Sequence, residues 1–487
     1  MMSLQNAPSA VAWPVAVAML ERWLRRHDRL DALMEEAGRK AAGGLRGEER
    51  ARCQHLLFGA VRHYDRLGAA VDARVPHPPR ARLRAVLLVA GFELLETGTA
   101  PVAEGQAAKV VHHAVERAKA LLSPAEARLV NAVLRKLAQA PELHAAPPGA
   151  AAGTAELARF FSHPEWLVRR WLGYFGAEAT HRLLEWNQSP PPVYGRWRGP
   201  AEAPAWLPAA PWPGFLVVPA AHWPEIERWL TEGTLYLQNP ATLMAAELLD
   251  PQRGETVLDL CAAPGGKSLL LADLLERGPR SDVEFRGERA PAYASSASPA
   301  PVAGATVPPI GPGLGRVVAV DLPDRRRIKR LQENLAKVRA VDVALIQADV
   351  LALSRALFAE HHVPATYAAV LLDAPCTNTG VMRHRVDVKW RLRETDIAKH
   401  AEQQLALLTA AARCVAPPGP ESPHAGGGPG GRLVYSTCSL EAEENEGVVE
   451  AFLRASGGRF VLEQLRTSRP WETECDGGSA FRLRRIR

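Results

Sequence analysis

Residues 256–268 read TVLDLCAAPGGKS, and no other stretch of this chain restricts its fold so tightly. Val257, Leu258 and Leu260 form a short apolar run suited to a strand buried on both faces. Leu269, Leu270, Leu271, Leu274 and Leu275 then recur with the spacing of a helix. A strand therefore passes into a helix across CAAPGGK. Gly265 and Gly266 fall at that switch, where the missing side chains let a ligand reach backbone N–H groups at the coming helix N-terminus. Alone, such a glycine pair is a weak sign, because many strand-to-helix turns use glycine for steric reasons only.

It does not stand alone. Downstream come VVAVDL (317–322), ALIQADV (344–350), AAVLLDAPCTNTG (368–380) and GGRLVYSTCSLEAEEN (430–445), each an apolar strand that runs into Asp or Cys. In an open parallel sheet, ligands collect in the crevice at the carboxyl ends of the strands. Asp259, Asp321, Asp349, Asp373 and Cys438 all stand at or just past such ends, so a single fold gathers them around one crevice.

CAAPGGK, DAPC and STCS, in that order, resemble the RNA cytosine-5 methyltransferases that use S-adenosylmethionine. The N-terminal part resembles the branch of that family acting on 16S ribosomal RNA. LLFGAVRHYDRL (56–67) and LVNAVLRKLA (129–138) are similar to the helical domain of the antitermination factor NusB. The resemblance covers nearly the whole chain apart from two inserts, and DAPC with TCS is its most specific part. It implies an all-α NusB-like bundle followed by an α/β Rossmann-like methyltransferase domain.

Periodicity gives the same division. From residue 15 to about residue 138 the pattern is helical: Leu57, Val61 and Tyr64 repeat at helical spacing, as do Val111, Ala114, Val115 and Ala118, and then Val130, Val133, Leu134 and Leu137. Arg80, Arg82, Arg84, Arg117, Arg128 and Arg135 lie on the exposed faces of this bundle, as a solvated surface or as one that meets RNA. The expected organisation is a helical RNA-binding domain over 1–140, an Ala/Pro/Gly-rich linker over 141–156, an intermediate segment over 157–245 and a catalytic domain over 246–487. The intermediate segment should hold an amphipathic helix in 162–176, a stop at Pro190, Pro191 and Pro192, and short strands at 192–197, 215–218 and 234–237. In the family the prolines precede Arg-Val-Asn, and a Gln-Asp follows later. This chain has Arg196, Trp197 and Arg198, then Gln238 and Asn239. Residues 279–315 are mostly Ala, Pro, Gly and Ser, and residues 415–431 mostly Pro and Gly; both read as surface inserts that leave the sheet unchanged.

S-adenosylmethionine needs partners for its amino acid end, its ribose and its adenine. Cys261, Ala262, Ala263, Pro264, Gly265, Gly266 and Lys267 form the expected cofactor loop, with the backbone donors of 262–267 for the carboxylate. Asp321 is placed to accept from the ribose hydroxyls, Asp349 from the adenine amino group, and Arg326 to brace the loop after Asp321. Each acid taken singly reads equally as a loop or helix-cap residue. Three at successive strand ends point to a pocket.

Cytosine C5 is a weak nucleophile toward a sulfonium methyl group. A thiolate added to C6 makes the ring an enamine, and C5 then attacks. A thiol of ordinary pKa, about 8.5, is mostly protonated at neutral pH, so the site must supply positive potential or a proton acceptor. Cys376 and Cys438 are the candidates. By resemblance Cys438 is the nucleophile and Cys376 helps release the product, while Asp373 holds cytosine N3 or its amino group and borders the cofactor. Lys389 and Trp390 are expected to hold the nucleotide, the lysine on phosphate and the indole by stacking, although Val386 stands where the family commonly has proline. The target cytosine must be unpaired or flipped out, which favours a loop or an incompletely assembled ribosomal RNA.

Lys and Arg outnumber Asp and Glu by 59 to 53, a balance that favours a polyanion partner. The six cysteines are scattered without the Cys/His spacing of a zinc site, so no metal is expected, and thiols in a reducing cytoplasm are the natural reading. Neither a signal peptide nor a membrane span is read in the sequence, and a monomer is expected. Two rival readings remain at this stage: the same reaction on transfer RNA, and a non-catalytic RNA-binding assembly factor that keeps the cofactor fold. Intact Cys438, Gly265 and Gly266 speak against the second.

Overall fold

In the computed structural model the described residues are 11–40, 45, 47–98, 101–219, 222–277, 288–289, 313–419 and 429–487. The chain forms two compact units, Met1–Pro191 with Met382–Glu394, and Pro192–Val381 with Thr395–Arg487. Among the described residues no helix is long and apolar enough to cross a membrane.

The first unit is helical. Its centre is the helix Ala81–Leu95, buried almost all round because nearly every residue from Leu83 to Leu94 is apolar. Truncating one of its wholly buried leucines, such as Leu88, would cost about 2–5 kcal/mol. The helix Pro124–Ala138 shows why these elements start and stop where they do. Ser123 and Glu126 form a capping box, proline occupies the first turn, Arg135 and Lys136 sit in the last, and Ala127, Val130, Val133, Leu134 and Leu137 make one buried stripe. Beyond it, the start of the expected linker, residues 142–145, is tied down. Leu143 is buried, and Arg66 donates to the carbonyls of Glu142, Leu143 and Ala145 at 3.3, 3.0 and 3.1 Å.

The segment Met382–Glu394 joins this helical unit, which corrects the expectation for Lys389 and Trp390. The helix Gly47–Arg62 ends with carbonyls that have no acceptor role left inside the helix. Trp390 Nε1 donates to Val61 O at 3.0 Å, and Lys389 Nζ and Gln188 Nε2 donate to Arg62 O at 3.1 and 3.2 Å. Val386 is part of the bundle's apolar core. Lys389 is only 1% exposed, and burial drives its ammonium well below the ordinary lysine value. Neither side chain is free for a nucleotide; both cap a helix.

The second unit holds two sheets. The strands β1 (Tyr194–Trp197), β2 (Phe215–Val217) and β3 (Leu235–Leu237) form a small antiparallel sheet in the order β2-β1-β3, close to the expected spans. The large sheet contains β4 (Thr256–Leu260), β5 (Glu288–Arg289), β6 (Arg316–Asp321), β7 (Asp342–Gln347), β8 (Ala369–Asp373), β9 (Arg432–Thr437), β10 (Phe460–Ser468) and β11 (Gly478–Arg485). Its order is β5-β10-β11-β9-β8-β4-β6-β7. The run β9-β8-β4-β6-β7 is parallel, and β11, β10 and β5 extend it antiparallel. Alternation along these strands fills both faces: Leu258, Val318, Val370 and Leu433 face one apolar core, and Val257, Val317, Leu371 and Val434 the other. This is the expected Rossmann-like domain.

The chain leaves β4 toward β6 and β7 on one side and returns on the other side through β8 and β9. The switch point lies between β4 and β8, where a ligand crevice belongs. The stretch expected as an insert at 279–315 lies outside the described residues except for 288–289 and 313–315. That expectation needs one correction, because Glu288–Arg289 pairs with β10 and adds a short strand to the sheet edge. An edge strand offers unpaired N–H and C=O groups to any passing chain. Of the second expected insert, 420–428 lies outside the described residues.

Candidate active site

β4 hands over to the helix Gly266–Arg277 through residues 261–265. Cys261 turns at φ +61°, the Ala263–Pro264 peptide is cis, and Gly265 has φ +102°. A Cβ on Gly265 would come within 3.0 Å of Leu331 and 3.2 Å of Asn334, so both conformation and space call for glycine. Burial pushes the Cys261 thiol up to about 12, which makes it inert. Three of the loop's amides are spent internally. Ala262 donates to Val320 O at 3.0 Å, Ala263 to Asp321 Oδ2 at 2.8 Å and Gly265 to Ala262 O at 2.7 Å. The donors that a helix start leaves for an outside anion are then those of Gly266 and Lys267.

Asp321, at the end of β6, is 1% exposed. Its Oδ2 accepts from Ala263 N and from Arg327 Nη2 at 2.9 Å; its Oδ1 accepts no hydrogen bond, although Arg327 Nη2 is also 2.9 Å away. Arg327 therefore does what was expected of Arg326. Asp324 caps the helix Arg325–Leu335 by accepting from the amides of Arg326 and Arg327, and that fixed start decides which arginine turns toward the strand end. Asp349 is exposed and accepts from Leu351 N at 2.9 Å, a cap, while Ala348 N donates to Asp321 O at 2.9 Å and keeps the two strand ends side by side.

Lys267 reaches across to β8. Its Nζ donates to Asp373 Oδ2 at 2.7 Å, and Ser436 Oγ donates to Asp373 Oδ1 at 3.0 Å. Burial works against the Lys267 charge, but the Asp373 carboxylate outweighs it and holds the ammonium above the ordinary lysine value, and Cys438 acts in the same direction. Beneath them Asp259 is wholly buried, bonded to Ser268 Oγ at 2.5 Å, and raised by burial to about 7.

Residues 376 and 438 stand at the ends of neighbouring parallel strands, because β8 pairs β9 in a register that sets Asp373 beside Ser436. Their sulfurs are 3.2 Å apart. The hydrogen bond to Cys438, and then burial, hold the Cys376 thiol well above its ordinary value. Cys438 Sγ also lies 3.4 Å from Asn378 Oδ1.

Sequence reasoning missed the group that braces this pair. Glu444 is wholly buried, and its Oε1 accepts from Thr377 N and Gln404 Nε2, each at 2.9 Å. Its Oε2 takes the hydroxyls of Thr377 and Ser439, the neighbours of the two cysteines. Gly380 N donates to Cys438 O at 2.9 Å and closes the two loops together; a Cβ there would lie 2.3 Å from Gly477 O. The acids of LEAEEN gave a signal, but nothing in the sequence separates Glu444 from Glu441 and Glu443.

Arg198, which stands where the family commonly has Asn, braces the helix after the glycine loop together with Arg196 and Gln238, which keep the family's residues. Arg198 donates two hydrogen bonds to Asp273, from Nε to Oδ2 and from Nη2 to Oδ1, both at 2.8 Å, and Arg196 Nη1 shares Oδ2. Arg196 Nε donates to Gln238 Oε1 at 3.0 Å, and Gln238 Nε2 to Gly266 O at 3.1 Å. The bonds to Asp273 are buried, where such bidentate pairs are most directional, while those through Gln238 are partly exposed.

Comparison with known proteins gives matches in both parts of the chain. The family model described as 16S rRNA methyltransferase RsmB/F matches residues 309–479, and the NusB family model matches residues 12–139. A Salmonella newport protein named ribosomal RNA small subunit methyltransferase B is 29% identical over 446 residues, covering 88% of each chain. The protein of the same name from Salmonella typhi is 28% identical over 452 residues, again with 88% of each chain covered. The crystal structure of PH0851 aligns over 97% of this chain and 98% of its own at 21% identity and a TM-score of 0.66, a likeness in fold.

Proposed function

Because the chain matches the 16S rRNA methyltransferase RsmB/F family model and the NusB family model, and is similar over most of its length to ribosomal RNA small subunit methyltransferases B, we propose that it methylates C5 of a cytosine in 16S ribosomal RNA through a covalent Cys438–C6 bond. The observation that supports this most is the pair of thiols 3.2 Å apart at the carboxyl ends of neighbouring strands.

The residues fit S-adenosylmethionine. Asp321 keeps a buried oxygen that accepts no hydrogen bond at the end of β6, as a ribose hydroxyl requires, and the amides of Gly266 and Lys267 open the following helix for a carboxylate. Asp349 at the end of β7 is the proposed partner of the adenine amino group. The cofactor supplies the electrophilic methyl group.

Cys438 adds to C6. The Lys267 ammonium favours the negative sulfur that this step needs, and Asp373 orients the lysine while its remaining lone pairs can accept from the amino group of the base, or from N3 once that nitrogen is protonated. Cys376 begins as a thiol because its hydrogen bond to Cys438 and its burial keep the proton on. Once the Cys438 sulfur is bonded to carbon, the negative charge that opposed loss of that proton is gone. Cys376 can then give up its proton to solvent and, as the thiolate, take the C5 proton, after which Cys438 leaves as a thiolate by β-elimination.

RNA affinity comes from phosphate contacts to the helical domain. Arg80, Arg82 and Arg84 are paired with Glu126, Glu21 and Asp72, so Arg128, Arg135 and Lys136, exposed on the helix Pro124–Ala138, are the better candidates.

The test is to incubate total RNA with the protein and methyl-labelled cofactor, then map the label. The reading expects 5-methylcytosine at one position in 16S ribosomal RNA. Label confined to transfer RNA, or on another atom, contradicts it.

A further inference from the structure

Asn378 stands between the two cysteines, two residues after Cys376, with φ +62°. Its side-chain amide is engaged at both ends. Nδ2 donates to the backbone carbonyl of Cys376 at 2.7 Å, and Oδ1 lies 3.4 Å from Cys438 Sγ. A carbonyl only accepts, so the NH2 end is committed to Cys376 and the oxygen end must face Cys438. An amide oxygen cannot donate either, so the Cys438 S–H is the donor in that contact. With its proton turned to Asn378, Cys438 can only accept across the 3.2 Å contact, and Cys376 must be the donor there.

We propose that Asn378 is a positioning residue that orders the protons of the cysteine pair: it holds Cys438 as a thiol with a lone pair toward Cys376, and Cys376 as the donor to it. This rests on the reading of Cys438 as the nucleophile. Loss of the Cys438 proton would leave the amide oxygen facing an anionic sulfur with nothing between them, so Asn378 opposes the thiolate that Lys267 favours. Among the described residues, the other charged or titratable groups around the pair are Asp373 on the lysine, Asp259 beneath it, Cys376 itself, Glu444 and Tyr435. Unlike these groups, Asn378 distinguishes the two sulfurs by a bond that Cys438 must donate.

The test is iodoacetamide alkylation of the full chain from about pH 6 to about pH 10, scored by mass spectrometry on the Cys438 peptide, in Asn378→Gly and Asn378→Asp. Glycine keeps the left-handed backbone and removes the acceptor. Its profile should move to lower pH by several tenths of a unit, with Cys438 alkylated roughly two- to fivefold faster at neutral pH. Aspartate places a negative oxygen at the same point, so its profile should move to higher pH. A loop that is merely loosened would raise the limiting rate at high pH for Cys376 and Cys438 alike and leave the midpoint unmoved, which overturns the proposal. So does an Asn378→Asp profile that matches the unmodified protein or moves down, whatever the fate of the glycine variant. The nucleophile reading fails separately, if Cys438→Ser still transfers methyl groups.

Discussion

The buried carboxyl group of Glu444 holds the backbone amide of Thr377 at 2.9 Å, and so ties the residue after Cys376 to the turn that follows Cys438. The same carboxyl takes the hydroxyls of Thr377 and Ser439, one beside each cysteine. Strand pairing brings the two loops to one end of the sheet. Glu444 sets how the sulfurs meet within it.

Glu444→Ala should therefore be costly. It leaves the Thr377 amide without its acceptor, Gln404 Nε2 with only the Pro375 carbonyl, and the Thr377 and Ser439 hydroxyls with only each other and Thr379, in a dry site where each unsatisfied group costs about 1–3 kcal/mol. After partial relaxation we expect a loss of about 3–5 kcal/mol in urea unfolding, and a smaller loss for Glu444→Gln, which keeps an acceptor. A loss under about 1 kcal/mol for the alanine variant would mean the network is not what holds the loops.

Asp321→Ala should weaken S-adenosylmethionine binding by about 1–3 kcal/mol, the range for losing hydrogen bonds to a charged group. Titration calorimetry on the full chain reads this directly. Unchanged affinity would remove Asp321 from the pocket and leave its bonds to Ala263 and Arg327 as purely structural.

Asp259 makes stability depend on pH. Burial raises its carboxyl to about 7, above the ordinary value of about 3.9 in an unfolded chain. Between these values the folded state holds a proton that the unfolded state has lost, so stability falls as pH rises through this window, by at most a few kcal/mol. Asp259→Asn removes that term. Calorimetric melts from about pH 4 to about pH 8 should show a flatter profile for the variant; parallel profiles would mean that Asp259 is ionised throughout.

Much of this architecture is legible in the sequence because it follows from local pattern. The strands β4, β6, β7, β8 and β9 announce themselves as apolar runs, and the strand-end position of Asp321, Asp373, Cys376 and Cys438 follows once a parallel sheet is assumed. What escaped depends on pairings between residues far apart in the chain. Arg327 replaces Arg326 because a cap at Asp324 sets the helix phase. Lys389 and Trp390 read as nucleotide-binding residues, yet they satisfy the carbonyls of a helix more than 320 positions earlier. Asp273, Glu444 and Asn378 carry no motif. Each matters only through partners that the fold brings to it.

The covalent account is tested most directly by what accumulates when Cys376 is removed. In Cys376→Ala, methyl transfer should go to completion and β-elimination should stall, leaving RNA bound through Cys438. A denaturing gel should show a slow-migrating protein–RNA adduct that depends on S-adenosylmethionine and disappears when Cys438→Ser is added. An adduct in Cys438→Ala that is lost on mutating Cys376 would reverse the two roles, and no adduct in either single variant would contradict the covalent route.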